Sequence, residues 1–169
     1  MMRRGGLVLA LVVTALLLGS STSFAARRSS PPPGMFGLGV YGNMPVVEVN
    51  FTDTFTGKFG LSFTSADMLV LDGTTIKSRN VTTTTIRHVG DISLVPKHNV
   101  VPHLGWLVDI ISPSEGDSSF RLGFVYGFKV YINPAFTVTA DLIPIQMTSC
   151  GDTTNWDLLG GMLGACYYF

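Results

Sequence analysis

Charge is scarce in this chain: Asp, Glu, Lys and Arg make up 13% of its 169 residues, against ~25% in ordinary soluble domains. Cysteine is nearly absent, with only Cys150 and Cys166. That excludes a scaffold built on several disulfides or a Cys-rich metal module. Beyond residue 25 no apolar run approaches the ~20 residues that a membrane-crossing helix needs. Basic residues form no stripe, so a nucleic-acid footprint is excluded as well. Neither G-x-S-x-G nor H-E-x-x-H occurs, leaving no nucleophile elbow and no zinc-protease helix.

What is present begins with an export signal. Met1-Met2-Arg3-Arg4 is a basic start, Leu7 to Leu18 is a twelve-residue apolar run, and Ser23-Phe24-Ala25 puts small residues at the two positions a signal peptidase reads. The run is too short to span a bilayer, so residues 1–25 are expected to be a cleaved signal peptide. The mature part then carries nine Lys and Arg against eleven Asp and Glu, a net charge of −2. Residues 26–35 contain three consecutive prolines and are expected to be an extended linker.

From residue 36 onward the apolar residues recur with period two, and no helical period competes. Eight strands are predicted: Phe36–Asn43, Val46–Thr52, Lys58–Thr64, Thr82–Val95, Val100–Ile111, Phe120–Ile132, Phe136–Met147 and Leu158–Phe169. The connections Asp53–Gly57, Pro96–Asn99 and Asn133–Ala135 are short, while Ser65–Val81, Ser112–Ser119 and Thr148–Asp157 are expected to be long loops. Short and long connections alternate, as in an up-and-down β-barrel of the outer membrane. Only Asn43-Met44-Pro45 breaks that alternation.

Successive side chains of a strand point to opposite faces. In the sixth strand Phe120, Leu122, Phe124, Tyr126, Phe128, Val130 and Ile132 share one face, and Arg121, Gly123, Val125, Gly127, Lys129 and Tyr131 share the other. The remaining strands repeat this division more faintly. With the apolar face outward, every charge assigned to a strand points inward: Glu48, Asp91, Asp109 and Asp141 against Lys58, Arg87, Arg121 and Lys129. A Lys or Arg at mid-depth on a lipid-facing surface would cost ~2–4 kcal/mol, so their segregation is a physical demand. Inside a narrow cylinder such charges must pair, and the two signs are balanced. Glycines 37, 39, 60, 105, 123, 127, 160 and 164 fall on the inward face too, making room for long side chains in a lumen of only eight strands. A plugged lumen is expected. A soluble barrel or sandwich would turn the same stripes the other way, burying the apolar one.

Phe169, Tyr167, Ala165 and Leu163 form one outward row, with aromatics where an interfacial girdle belongs. A terminal Phe with an aromatic two residues earlier resembles the targeting signal of bacterial outer-membrane barrels, which implies that Tyr167 and Phe169 would be read by the barrel-assembly machinery. Val101-Pro102-His103-Leu104-Gly105 and Phe128-Lys129-Val130-Tyr131-Ile132-Asn133-Pro134-Ala135-Phe136 resemble the strand starts and Asn-Pro hairpins of small barrels of the OmpA-transmembrane and OmpX-like type. The resemblance covers Phe36 to Phe169 in outline. It implies an outer-membrane location with lipid and lipopolysaccharide as surroundings; a peptidoglycan-binding role does not carry over. Pro102 and Pro144 depart from the pattern and are expected to force local bulges.

For chemistry the candidates are few. His103 points into the lumen, with Asp109 and Glu48 as possible partners; His88 points outward and His98 sits in a turn. A satisfied lumen hydrogen bond is the reading adopted for His103, and no residue is assigned to catalysis, a metal or a cofactor. Cys150 and Cys166 fall at opposite ends of the barrel, so no bond between them is expected. Acidic residues outnumber basic ones in the long loops, and with no calcium-loop spacing they read as a solvated rim. The resulting expectation is a non-enzymatic outer-membrane barrel acting in membrane integrity or surface binding. A narrow pore and a secreted soluble β protein are the alternatives.

Overall fold

In a computed structural model, which describes residues 31–72, 75–95 and 99–169, eight strands close into one antiparallel barrel in chain order. They are β1 (Phe36–Tyr41), β2 (Met44–Asn50), β3 (Phe55–Asp72), β4 (Thr75–Ser93), β5 (Val100–Pro113), β6 (Ser119–Asn133), β7 (Phe136–Cys150) and β8 (Thr153–Tyr168). Each strand pairs with its neighbours in sequence, and β1 pairs with β8 to close the ring. The expected signal peptide, residues 26–30 of the expected linker, and Pro96, Lys97 and His98 of the expected turn lie outside the described residues. The rest of the linker is tied down: Gly34 N–H donates to the Asn50 carbonyl and Asn50 N–H to the Met35 carbonyl, extending the β1–β2 ladder.

Two expected loops are strands instead. Ser65–Val81 continues the β3–β4 hairpin, with rungs running from Ser65↔Thr82 to Asp72↔Thr75. The segment shows no clean alternation because both faces of this projecting ribbon are exposed wherever its side chains are described, Val81 at its base excepted. It is held by backbone pairing and by a polar ladder in which Ser65 and Asp67 both bond Asn80. Thr148–Asp157 likewise collapses to a two-residue turn at Gly151-Asp152, where Gly151 takes φ +54. At the other extreme the β1–β2 hairpin is very short. Gly42 adopts φ +65 at the first turn position, the place a type II′ hairpin reserves for glycine.

The two prolines behave differently from one another. At Pro144 the β6–β7 register shifts between Phe124 and Tyr126, so two residues of β7 oppose Val125 alone. The irregularity passes on to β8, where Leu159 stands at φ +62 and the inward parity flips. Pro102 makes no bulge. Its carbonyl accepts from Leu94 N–H on the last rung beside β4, so the donor it lacks falls where that ladder ends.

Around the outside the apolar stripes are exposed. Among the described residues twenty-nine large apolar side chains are exposed and twelve are buried, while thirteen polar or charged ones are buried. A soluble protein inverts that relation. On the end that carries the chain termini the outward aromatics form a belt: Phe51 stacks on Phe55, Phe55 on Trp106, and His88 sits between Trp106 and Phe59. Trp106 lies flat across Gly90, where a Cβ would come within 2.3 Å of the indole. Tyr167 and Phe169 continue the belt in edge contact.

Candidate functional site

The interior is built in three tiers by the inward positions of all eight strands. The upper tier, away from the termini, follows directly from register. Arg87, Asp109 and Arg121 occupy one continuous rung across β4, β5 and β6. Arg87 donates from Nε to Asp109 Oδ1 at 2.7 Å and from Nη2 to Oδ2 at 2.8 Å, a two-pronged ion pair. Arg121 approaches the same carboxylate at 3.4 Å. Arg87 also reaches the Tyr41 carbonyl and the Met162 sulfur, at 3.5 and 3.6 Å.

Beneath it lies an apolar tier of Val46, Val89, Leu107, Val125 and Ile143 with the Tyr41 ring, packed against Met162. It is the one hydrophobic cluster inside the barrel among the described residues, and it separates the ions above from those below. Glycines 123 and 160 leave the space that Ile143 fills.

The lower tier gathers the remaining charges from opposite walls. Lys129 on β6 donates across the lumen to Glu48 on β2 at 2.5 Å, and Tyr168 hydroxyl donates to the same Oε1 at 2.7 Å. Lys58 donates to Asp91 and lies 5.1 Å from the Tyr41 ring centre, a cation–π contact. Lys129 stands 3.8 Å from Asp91 as well. Tyr41 hydroxyl donates to Asp141. His103 Nε2 lies 2.9 Å from Asp141 Oδ1 and 3.8 Å from Asp91 Oδ1, out of line for a hydrogen bond. Every one of these ionic groups is at most 5% exposed.

All nine predicted lumen residues therefore stand inside the barrel, Arg121 being the one that is partly exposed. The expected partners of His103 are corrected. Asp109 is six positions along β5 and belongs to the upper tier, and Glu48 is taken by Lys129 and Tyr168. His103 faces Gly127, and Gly127 in turn faces Asp141 on the next strand. A Cβ on Gly127 would lie 2.0 Å from Asp141 Oδ1, so the missing side chain is what lets imidazole and carboxylate meet. Sequence reasoning missed Tyr41 and Tyr168 as buried donors. Their inward parity was available as a signal, but aromatics near strand ends are also what an outer girdle needs.

Asp91, His103 and Asp141 are the one group of three potential metal ligands within 4.8 Å of one another among the described residues. The arrangement does not suit a divalent cation, because the Lys58 and Lys129 ammonium groups already face Asp91. The acidic residues at the loop end do not converge. Glu115 pairs with Arg79 at 3.1 Å, Asp157 accepts from Gln146, and Asp67 accepts from Asn80. A void beside Tyr41, Glu48, Lys58 and Cys166 leaves no room for a water molecule. The two cysteines are free, Cys150 exposed at the β7–β8 turn and Cys166 buried at the other end.

Comparison with family models, with curated proteins and with solved structures finds no match. The chemistry has to be read from the barrel itself.

Proposed function

We propose that this chain is an integral outer-membrane β-barrel with a closed, charge-paired lumen, acting in envelope integrity or surface contact and carrying out no reaction. One observation carries the reading: the barrel exposes its apolar stripes on the outside and buries its ion pairs within. In water that arrangement would leave hydrophobic surface unsatisfied and desolvate charges for no return. In hydrocarbon both choices are favourable, since the wall meets acyl chains and no Lys or Arg meets lipid. The girdle of Trp106, Tyr167 and Phe169 supports the same setting. Export by the amino-terminal signal and recognition of the last strand by the assembly machinery complete this proposal.

The apolar tier opposes the pore alternative, because Leu107, Val125 and Ile143 interrupt any continuous polar path along the axis. His103 is sealed beneath that tier and is fully buried, so a substrate has no route to it. What the barrel offers to the outside is the tall β3–β4 ribbon, and it is the element assigned to surface contact.

The test is to fold the mature chain in detergent and run it on a gel boiled and unboiled. A membrane barrel requires the detergent and migrates faster unboiled. A chain that remains monomeric in plain buffer and shows a single band would overturn the reading.

A further inference from the structure

The barrel wall is incomplete on one side. β2 pairs with β3 only over Val46–Asn50, reaching Gly60, and β1 pairs with β8 only over Gly37–Tyr41, reaching Gly164. Gly42 N–H adds one bond to the Leu163 carbonyl. Above that level the edge of β3 from Leu61 and the edge of β8 down to Met162 have no strand between them, and among the described residues no ladder joins β3 to β8. The gap spans the places of two strands, roughly 14 Å between edges at ~4.8 Å per strand.

Its height matters. The six residues of β1 climb only ~15 Å at a 40° tilt, whereas an outer-membrane apolar band is ~25 Å tall. The outward row of β8, from Tyr167 through Leu163 and Leu158 to Trp156, is exposed over the taller distance. On the membrane reading given above, the slot therefore opens into hydrocarbon, where bare sheet edges are tolerated only if protein covers them or they line a water-filled space.

The rims and the floor differ in character. Leu61 and Phe63 on one side and Leu158, Leu159 and Leu163 on the other are exposed and apolar. The floor is cationic: Arg87 Nη1 would lie 3.4 Å from a Cβ on Gly42, directly at the hairpin turn. Behind it Arg121 shares a single carboxylate, Asp109, with Arg87. Arg121 Nε and Thr148 Oγ1 are buried without any partner, and these two residues face each other across β6 and β7. Asp157 on β8 is exposed and engaged by Gln146.

We propose that the slot between β3 and β8 is a lateral port for one membrane amphiphile with an anionic head. The head seats against the partly exposed Arg121 and its neighbour Thr148 at the upper tier, and the acyl tail leaves between the apolar rims into the bilayer. Unpaired donors within and greasy edges without are the two halves of such a ligand. This rests on the membrane reading, which the gel test decides separately and first.

The experiment is native mass spectrometry of the barrel released from detergent containing phosphatidylglycerol or phosphatidylcholine, on protein already shown to be heat-modifiable. One phosphatidylglycerol per barrel should be retained about tenfold over phosphatidylcholine, the scale of one charge-assisted hydrogen-bond set. Arg121→Gln should abolish that preference while keeping the gel shift, Arg121→Lys should keep most of it, and Thr148→Val should weaken it severalfold. Equal retention of the two lipids, an unaltered preference in Arg121→Gln, or complete displacement by inorganic phosphate would each overturn the port. So would lipid-free dimers, which would mean that a second copy covers the slot.

Discussion

The Lys129–Glu48 contact invites a direct test, because it joins opposite walls of the barrel and both side chains are about as buried as ions can be, at 1% exposure each. Replacing Lys129 by Met keeps the volume and removes only the ammonium. Glu48 would then retain the Tyr168 hydroxyl at 2.7 Å as a donor, with the Cys166 thiol beside it. Breaking a buried pair from one side typically costs ~3–5 kcal/mol, and the surviving phenol bond, itself worth ~1.5–3 kcal/mol to a charged acceptor, holds the expected loss near the lower limit. Lys129→Met should therefore lose about 3 kcal/mol. Removing both charges, as Glu48→Leu with Lys129→Met, should lose only ~1 kcal/mol, since no ion is left stranded. The coupling energy of the cycle is then at least ~2 kcal/mol. Urea unfolding of the protein in phosphatidylcholine bilayers, followed by tryptophan emission and by the unboiled gel band, reads each value. If Lys129→Met falls within ~0.5 kcal/mol of the parent, or if the two single losses simply add, the lumen is hydrated and the pairing argument is wrong.

Three further outcomes follow from the same geometry. In planar bilayers the parent should give no steady conductance steps, whereas trimming the apolar tier by Leu107→Gly with Ile143→Gly should introduce them; steps from the parent would refute the closed lumen. Gly90→Ala should displace the Trp106 indole, whose ring would stand 2.3 Å from the new Cβ, costing ~1–2 kcal/mol and shifting tryptophan emission; an unchanged spectrum would contradict the stacking. A bulky water-soluble maleimide should label the folded protein once, at exposed Cys150, and react with buried Cys166 only after unfolding. Two labels on the folded state would mean that the last strand is misplaced.

The order of the eight strands and the facing of their side chains were legible because both depend on local rules. A pleat alternates whatever its partner, so Phe124 and Phe128 had to oppose Arg121 and Lys129 before any pairing was known. The upper ion triad was nearly legible for the same reason: Arg87, Asp109 and Arg121 share one rung, and a rung follows once two turns are placed. The expected loop at Ser65–Val81 failed because a ribbon exposed on both faces needs no apolar alternation. Its pairing depends on backbone bonds that side-chain periodicity does not register.

Composition and alternation pointed to a β-cylinder that is greasy outside and ionic within but left a soluble β protein as an alternative; the closed ring itself rests on the pairing of β1 with β8. Which ion meets which across the lumen was left to tertiary structure. Glu48 finds Lys129 and His103 finds Asp141 only after closure sets the stagger of distant strands, a quantity that no single strand encodes. The open side of the wall belongs to the same class, although the shortness of the first hairpin was legible at Asn43-Met44-Pro45. A two-residue turn at Gly42 is a local event, but the gap it leaves exists only between β3 and β8, which meet nothing there.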